Sequence, residues 1–211
     1  MLNKIAIIAN GNIKDLNFHK NLLEGIDKII CADGGSKYMK ELGLIPDYII
    51  GDLDSIDNSL IEYYQKQDKT KIIKDTNQDK TDLELALKLA ESLDPKELII
   101  LGAIGDRIDH TYANILSLIF IEKNIKTRII DEKNTIELVD SPLDIKGKKD
   151  EIISIIPLTD IYKLNYKGLK WNVSDLDTNI GWFGISNRLI EEKANISFLQ
   201  GKLLLIRVRK N

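Results

Sequence analysis

The sequence predicts an α/β fold: an N-terminal, mostly parallel α/β sheet domain over residues 1–131, followed by a smaller all-β sandwich domain over 132–211. Two observations carry this prediction. Up to about residue 130, short apolar runs alternate with stretches of helical period. Strand, crossover helix and strand in repetition make a parallel sheet with helices on both faces. Beyond about Asp131 the apolar runs become short and β-rich, with turn residues between them and no long helical period. That pattern reads as a small all-β sandwich or barrel.

Taken in order, strands are expected at 4–9, 27–32, 47–50, 70–73, 97–101 and 126–130. Helices are expected near 37–42, 59–67, 81–92 and 109–123. The helix at 81–92 has an apolar face built from Leu83, Leu85, Ala86, Leu87, Leu89 and Ala90. Thr81 is placed to cap it, with Glu84 three residues on to complete a capping box. In the second half, strands are expected at 135–139, 151–156, 161–166, 196–199 and 203–208, with 146–150 a polar hairpin tip or linker. The sequence holds no internal repeat and no low-complexity tract.

With 211 residues, 43% apolar and 30% charged, the chain has ample core for one large domain or two modest ones. The net charge is −3 with acids and bases interleaved, which argues against a nucleic-acid or anionic-membrane surface. A single cysteine, Cys31, excludes an intrachain disulfide framework and suits a reducing compartment. The apolar run at residues 5–9 is too short for a signal peptide. No run approaches the ~18 apolar residues of a membrane span. A cytoplasmic protein is expected.

The chemistry gathers around Gly51-Asp52-Leu53-Asp54-Ser55, directly after a short apolar run. Carboxylates at a strand's carboxyl end project into the crevice where open α/β sheets bind ligands. A second acidic cluster, Asp75 to Asp82 with Asp79 within it, follows the next apolar run. One reading is an acidic turn in which Ser55 or Asp57 caps the next helix. The other is a metal site, because two like charges ~4 Å apart cost about 4 kcal/mol at an effective dielectric of 20. Oxygen ligands without His or Cys favour magnesium, which takes one or two carboxylates plus substrate phosphates.

Three further groups stand out. Ala32-Asp33-Gly34-Gly35-Ser36 ends a strand and opens a helix; its glycines either let backbone N–H groups approach a phosphate or form an ordinary turn with Asp33 solvated. In Gly105-Asp106-Arg107-Ile108-Asp109-His110, Arg107 offers a fork for phosphate oxygens or pairs with Asp106 or Asp109 on the surface. In the β half, Trp171 and the run from Gly181 to Asn187 offer an aromatic face for a flat cationic ring, with core packing the default for one of the two tryptophans. Ser186 and Asn187 either orient ring nitrogens or make a turn. His19 is isolated and receives no role. There is no Walker A loop, nucleophile-elbow serine, GxGxxG or zinc pattern.

Taken together, these residues resemble the thiamine pyrophosphokinase family. The likeness runs through Ala32-Asp33-Gly34-Gly35, Pro46-Asp47, Gly51-Asp52-Leu53-Asp54-Ser55 and Gln78-Asp79-Lys80-Thr81-Asp82, then Gly105-x-Arg107-x-Asp109-His110 and Gly184-Ile185-Ser186-Asn187. It implies magnesium-dependent transfer of diphosphate from ATP to the hydroxyl of thiamine, giving thiamine diphosphate and AMP. It also implies a homodimer whose thiamine site lies between the catalytic domain of one subunit and the sandwich of the other. Carried over, Asp52, Asp54 and Asp82 would hold the metal, and Asp79 would lie near the substrate hydroxyl or the metal. Gln78, Lys80, Thr81, Arg107 and Asp109 would hold ATP, with Asp33 and Gly34 lining the nucleotide crevice. Trp171 would offer a face to thiamine, and Ser186 and Asn187 would bind its aminopyrimidine. The residues expected to carry catalysis are Asp54, Asp79 and Asp82, with Asp54 and Asp82 foremost.

The chain departs from the bacterial pattern at Asp106, commonly glycine, and at Phe183 and Arg188, which flank Gly-Ile-Ser-Asn where relatives often have an arginine before and an acid after. The rival readings are the same chemistry on a pterin alcohol, a magnesium phosphohydrolase with Asp52 as nucleophile, and a non-catalytic nucleotide-binding regulator. Gly184 to Asn187 argues against the first. Ser55, following Asp54 at once, breaks the motif of the second. The crowded carboxylates argue against the third.

Overall fold

Ile5, Ile7 and Ile8 are wholly buried in β1 (Lys4–Ile8), the strand about which the first half is arranged. A computed structural model describes residues 3–76, 79–122 and 124–209. The chain divides into two compact units, Met1–Glu132 and Lys133–Asn211. In the first, β2 (Lys28–Ala32), β3 (Tyr48–Gly51) and β4 (Lys71–Lys74) extend the sheet on one side of β1. β5 (Glu97–Leu101) and β6 (Lys126–Ile130) extend it on the other, and every pairing is parallel. The order β6-β5-β1-β2-β3-β4 reverses direction at β1. The crevice beyond β1 and β5 is therefore the topological switch point, where such sheets bind ligands.

The helices are α1 (Leu16–Leu22), α2 (Ser36–Leu42), α3 (Asn58–Gln65), α4 (Asp82–Ser92) and α5 (Ile108–Leu116). A core of Cys31, Met39, Ile49, Leu60 and Tyr64 joins helices to sheet. Thr81 caps α4, its Oγ1 accepting from Glu84 N at 3.2 Å. Asp57 stands at the N-cap of α3 without a side-chain cap bond, so neither Ser55 nor Asp57 is spent there. The helix expected at 109–123 ends earlier: α5 stops at Leu116 and a 3₁₀ turn, Ser117–Phe120, follows. Lys123 lies outside the described residues.

Helix α1 has no counterpart in the sequence reading. Asp15 caps it, Oδ1 accepting from Phe18 N at 2.9 Å, and it buries His19 to 1% exposure. His19 Nδ1 lies 2.8 Å from the Asp15 carbonyl, so this histidine belongs to the packing of α1.

The second unit is antiparallel. β7 (Asn134–Val139), β9 (Ile152–Pro157), β12 (Gly184–Arg188) and β14 (Leu203–Val208) make one sheet, in the order β12-β9-β14-β7. β8 (Leu143–Lys146), β10 (Ile161–Lys167), β11 (Val173–Thr178) and β13 (Lys193–Ser197) make the other, in the order β11-β10-β13-β8. Ile153, Ile155, Leu203 and Leu205 of the first sheet pack with Ile145, Leu164, Tyr166 and Ile196 of the second, which makes a sandwich. Among the described residues no helix is long and apolar enough to cross a membrane.

Candidate active site

The acidic corner is built by two short turns. β2 ends in a 3₁₀ turn, Asp33–Gly35, that holds Asp33 at φ 42° and 2% exposure. β3 ends at Gly51, and Leu53 takes φ 67°, a left-handed conformation that disfavours a branched side chain. The turn brings Asp52 and Asp54 together: Asp54 N donates to Asp52 Oδ1 at 3.1 Å, and Ser55 Oγ to Asp54 Oδ1 at 3.0 Å. Oxygens of Asp33, Asp52 and Asp54 lie within 4.8 Å of one another. Asp82, the first residue of α4, reaches toward Gly51, where a Cβ would stand 2.6 Å from its Oδ1. Glycine at 51 is what lets this carboxylate approach β3.

Burial, then the charges of Asp33, Asp52 and Asp54, push the Asp82 carboxyl up to about 6. Burial also raises Asp33, with Asp52 and Asp54 adding to the shift, and Asp33 Oδ1 is buried without a hydrogen-bond partner. An orphaned buried carboxylate oxygen within an all-oxygen group is the donor set of a hard divalent cation. The residues fit magnesium. Asp33, read from sequence as part of the nucleotide crevice, joins the carboxylates instead of being solvated.

A cavity of about 440 Å³ opens from this corner. Asp52, Lys80, Thr81 and Asp82 form one wall; Gly105, Asp106, Arg107 and His110 form part of another. Thr111 pins the latter loop, its Oγ1 accepting from Gly105 N at 3.0 Å, and Asn114 Nδ2 donates to the Ala103 carbonyl at 2.8 Å. A third wall was missed by the sequence reading: Ala9, Asn10, Gly11 and Asn12, which follow β1. Its only signal is an Asn-Gly-Asn at the carboxyl end of the first strand.

Arg107 lines the cavity, but its fork is closed on Asp109, with Nη2–Oδ2 at 2.6 Å and Nε–Oδ1 at 3.3 Å. The hydrogen bond from Arg107 holds the Asp109 carboxyl at about 2. Gly34 and Gly35 are buried, and a Cβ on them would meet the Asn10 carboxamide and the Ile8 carbonyl respectively. Close packing on the end of β1 thus requires them. Asp79 stands apart from the carboxylate group, exposed, beside a groove along α4 with Lys88 and Phe120. Gln78 lies outside the described residues.

In the second unit Trp182 packs on the sandwich core, whereas Trp171 is 55% exposed with Lys170 Nζ 4.6 Å from its ring centroid. Asn187 is 3% exposed and committed to backbone: Nδ2 donates to Trp171 O at 2.7 Å, and Oδ1 accepts from Trp171 N at 3.1 Å and Arg188 N at 2.9 Å. Ser186 bulges outward at φ 58°, its N–H donating to Ser154 Oγ at 3.0 Å and its side chain exposed. Phe183 and Ile185 are exposed on the same strand segment.

An open parallel sheet with a carboxylate-lined cavity at its switch point, followed by a β-sandwich, defines a class of two-domain α/β protein with a ligand site on the first domain. Residues 19–129 match the family model for the thiamin pyrophosphokinase catalytic domain, and residues 139–203 that for the thiamin pyrophosphokinase vitamin B1 binding domain. The thiamine pyrophosphokinase of Bacillus subtilis (strain 168) is 34% identical over 184 residues, covering 84% of this chain and 86% of the relative. The crystal structure of the thiamine pyrophosphokinase from Bacillus subtilis has a TM-score of 0.84 at 32% identity, over 99% of this chain and 100% of that one. A thiamin pyrophosphokinase from Geobacillus thermodenitrificans gives 0.81 at 25% identity, over 99% and 98%. The chain belongs to the thiamine pyrophosphokinase family. It is an enzyme of that type, a transferase of the kinase class that forms thiamine diphosphate.

Proposed function

We propose that the diphosphate comes from ATP, that magnesium is required, and that AMP is the second product. The observation that carries this reading is the group Asp33, Asp52 and Asp54 with Asp82 nearby, of which Asp52 and Asp82 line the cavity. An acidic wall repels a polyphosphate unless a divalent cation lies between them. Magnesium held by one or two of these carboxylates would neutralise phosphate charge. Lys80 and Arg107 face the same cavity and spread what remains, once Arg107 exchanges Asp109 for phosphate oxygens.

In the reaction the thiamine hydroxyl oxygen forms a bond to the β-phosphorus, the bond from that phosphorus to the α–β bridging oxygen breaks, and AMP leaves. The hydroxyl proton passes to a carboxylate of this corner, and Asp54 and Asp82 are the candidates. Positioning and charge compensation do most of the work in such transfers. Thr81 and Asp109 belong to the ATP side, Gln78 is assigned there by the resemblance alone, and Asp79 is left at its rim. On this reading, 1–131 is the ATP-binding catalytic domain and 132–211 the thiamine-binding domain. Trp171 gives the thiamine ring its face, Ser186 a polar contact, and Asn187 acts through Trp171. The working unit is a homodimer in the cytoplasm, with thiamine between the two subunits.

The test is incubation with ATP, magnesium and thiamine, resolving nucleotides and thiamine species. Stoichiometric AMP and thiamine diphosphate, absent without magnesium, are expected. ADP or free phosphate as the nucleotide product would overturn the proposal.

A further inference from the structure

The loop that follows β1 enters the cavity at the point where the sheet reverses direction. It is held on both sides. Ala9 N donates to Leu101 O at 2.8 Å, Gly11 N to Gly102 O at 2.6 Å and Asn12 N to Ile104 O at 2.9 Å. Tyr38 Oη donates to Gly11 O at 2.6 Å. Gly11 has no room for a side chain, since a Cβ would stand 2.7 Å from the Ile104 carbonyl oxygen. Asn10 is thus a side chain on a fixed backbone at the cavity wall.

Its carboxamide has a defined orientation. Lys37 Nζ lies 2.7 Å from Asn10 Oδ1, and an ammonium can only donate. Oδ1 must therefore face Lys37, which leaves the Nδ2 donors turned the other way. Lys37 is steadied in turn over the Tyr38 ring, 4.8 Å from its centroid. Nδ2 rests over Gly34, in the space a Cβ would fill, one residue from the buried Asp33 of the carboxylate group. Among the described residues it has no acceptor. Asn10 is exposed, and a neutral donor that has no protein acceptor and rests on Gly34 in the cavity lining is complementary to an anionic or hydroxyl oxygen of a ligand.

We propose that Asn10 is a nucleotide-binding residue, donating from Nδ2 to a phosphate or ribose oxygen of the bound nucleoside triphosphate, and that Lys37 is the positioning residue that sets its amide. This rests on the ATP reading above. It gives the Asn-Gly-Asn loop a role in the reaction, and it makes Gly34 necessary for substrate binding through the room it leaves for Asn10.

The experiment is a double-mutant cycle on the full-length enzyme with Asn10→Ala, Lys37→Met and both together, reading KM for ATP, KM for thiamine and melting temperature. Asn10→Ala is expected to raise KM for ATP by about tenfold, the size of a lost hydrogen bond to a charged group. KM for thiamine and the melting temperature should stay put. Lys37→Met should raise KM for ATP by a smaller factor, add nothing in the Asn10→Ala background, and be rescued by Lys37→Arg. Unchanged KM for ATP in Asn10→Ala would show the pair to be only a tether between loop and helix. Additive effects would mean that Lys37 meets the nucleotide by its own charge, which overturns its positioning role. A wild-type enzyme that makes thiamine diphosphate from another donor would sink the ATP reading itself, a result distinct from wild-type turnover with indifferent variants.

Discussion

At the scale of single residues, the acidic corner is a balance between fold and ligand. Asp82 sits well above its ordinary carboxyl value, at about 6. A raised pKa means that the folded state keeps its proton where the unfolded state has lost it. Stability from this group is present below about pH 4 and is lost as pH rises to about 6. Asp82→Asn should therefore melt above the wild type in the metal-free form beyond pH 6, and match it near pH 4. Thermal melts in chelator across that range check this; equal melting at pH 8 would mean that Asp82 carries no such penalty. Asp54→Asn should leave the melting temperature intact and lower turnover by about two orders of magnitude, the size of a lost charge-stabilising contact in a transition state. A magnesium titration of the rate separates weakened metal binding from lost chemistry. The corner itself was legible in the sequence because two acidic clusters, one at residues 52–54 and one at 79–82, each follow an apolar run at the same edge of the sheet. The membership of Asp33 was not, since its burial depends on a left-handed turn that no local pattern announces.

At the scale of elements, what the sequence showed and what it hid divide by position in the sheet. The interior strands β1, β2 and β5 are buried on both faces, and after a charged first residue each is a continuous apolar run rich in isoleucine or leucine. The strands that went unread, β8, β11 and β12, all lie at the ends of their sheets. An edge strand of the sandwich supplies few residues to the core. β11 reads Val-Ser-Asp-Leu-Asp-Thr, and β12 is Gly-Ile-Ser-Asn-Arg with a shift of register at its middle. Polar edge strands and turns look alike in one dimension. The distinction matters for Ser186 and Asn187, neighbours in sequence with opposite surroundings. Asn187→Ala removes a buried side chain whose carboxamide holds the Trp171 backbone, and should destabilise the protein by about 2 kcal/mol. Ser186→Ala touches an exposed hydroxyl, and should raise KM for thiamine more than it lowers kcat while leaving the melting temperature unchanged. An unmoved KM would place Ser186 outside the thiamine pocket.

At the scale of the whole molecule, each unit has a core of its own and half of the proposed chemistry. The carboxylates, Lys80 and Arg107 fall within Met1–Glu132; Trp171, Ser186 and Asn187 fall within Lys133–Asn211. On the proposed reading each unit supplies half of the thiamine site, and in the proposed homodimer the two halves come from different subunits. Trp171, Phe183 and Ile185 are each exposed in the second unit, and exposed large apolar side chains are what a binding partner covers. Complementation decides between sites built within one subunit and sites shared by two. Asp54→Asn disables the catalytic half and Trp171→Ala the thiamine half, so each variant alone should be nearly inactive. When the two are co-expressed, a mixed dimer with shared sites contains one wild-type pairing of halves and one doubly defective pairing. Random exchange should then restore about a quarter of wild-type activity, because half of the dimers are mixed and each has one good site of two. Sites built within one subunit predict no recovery whatever the mixing, since every chain then carries a defect in its own site.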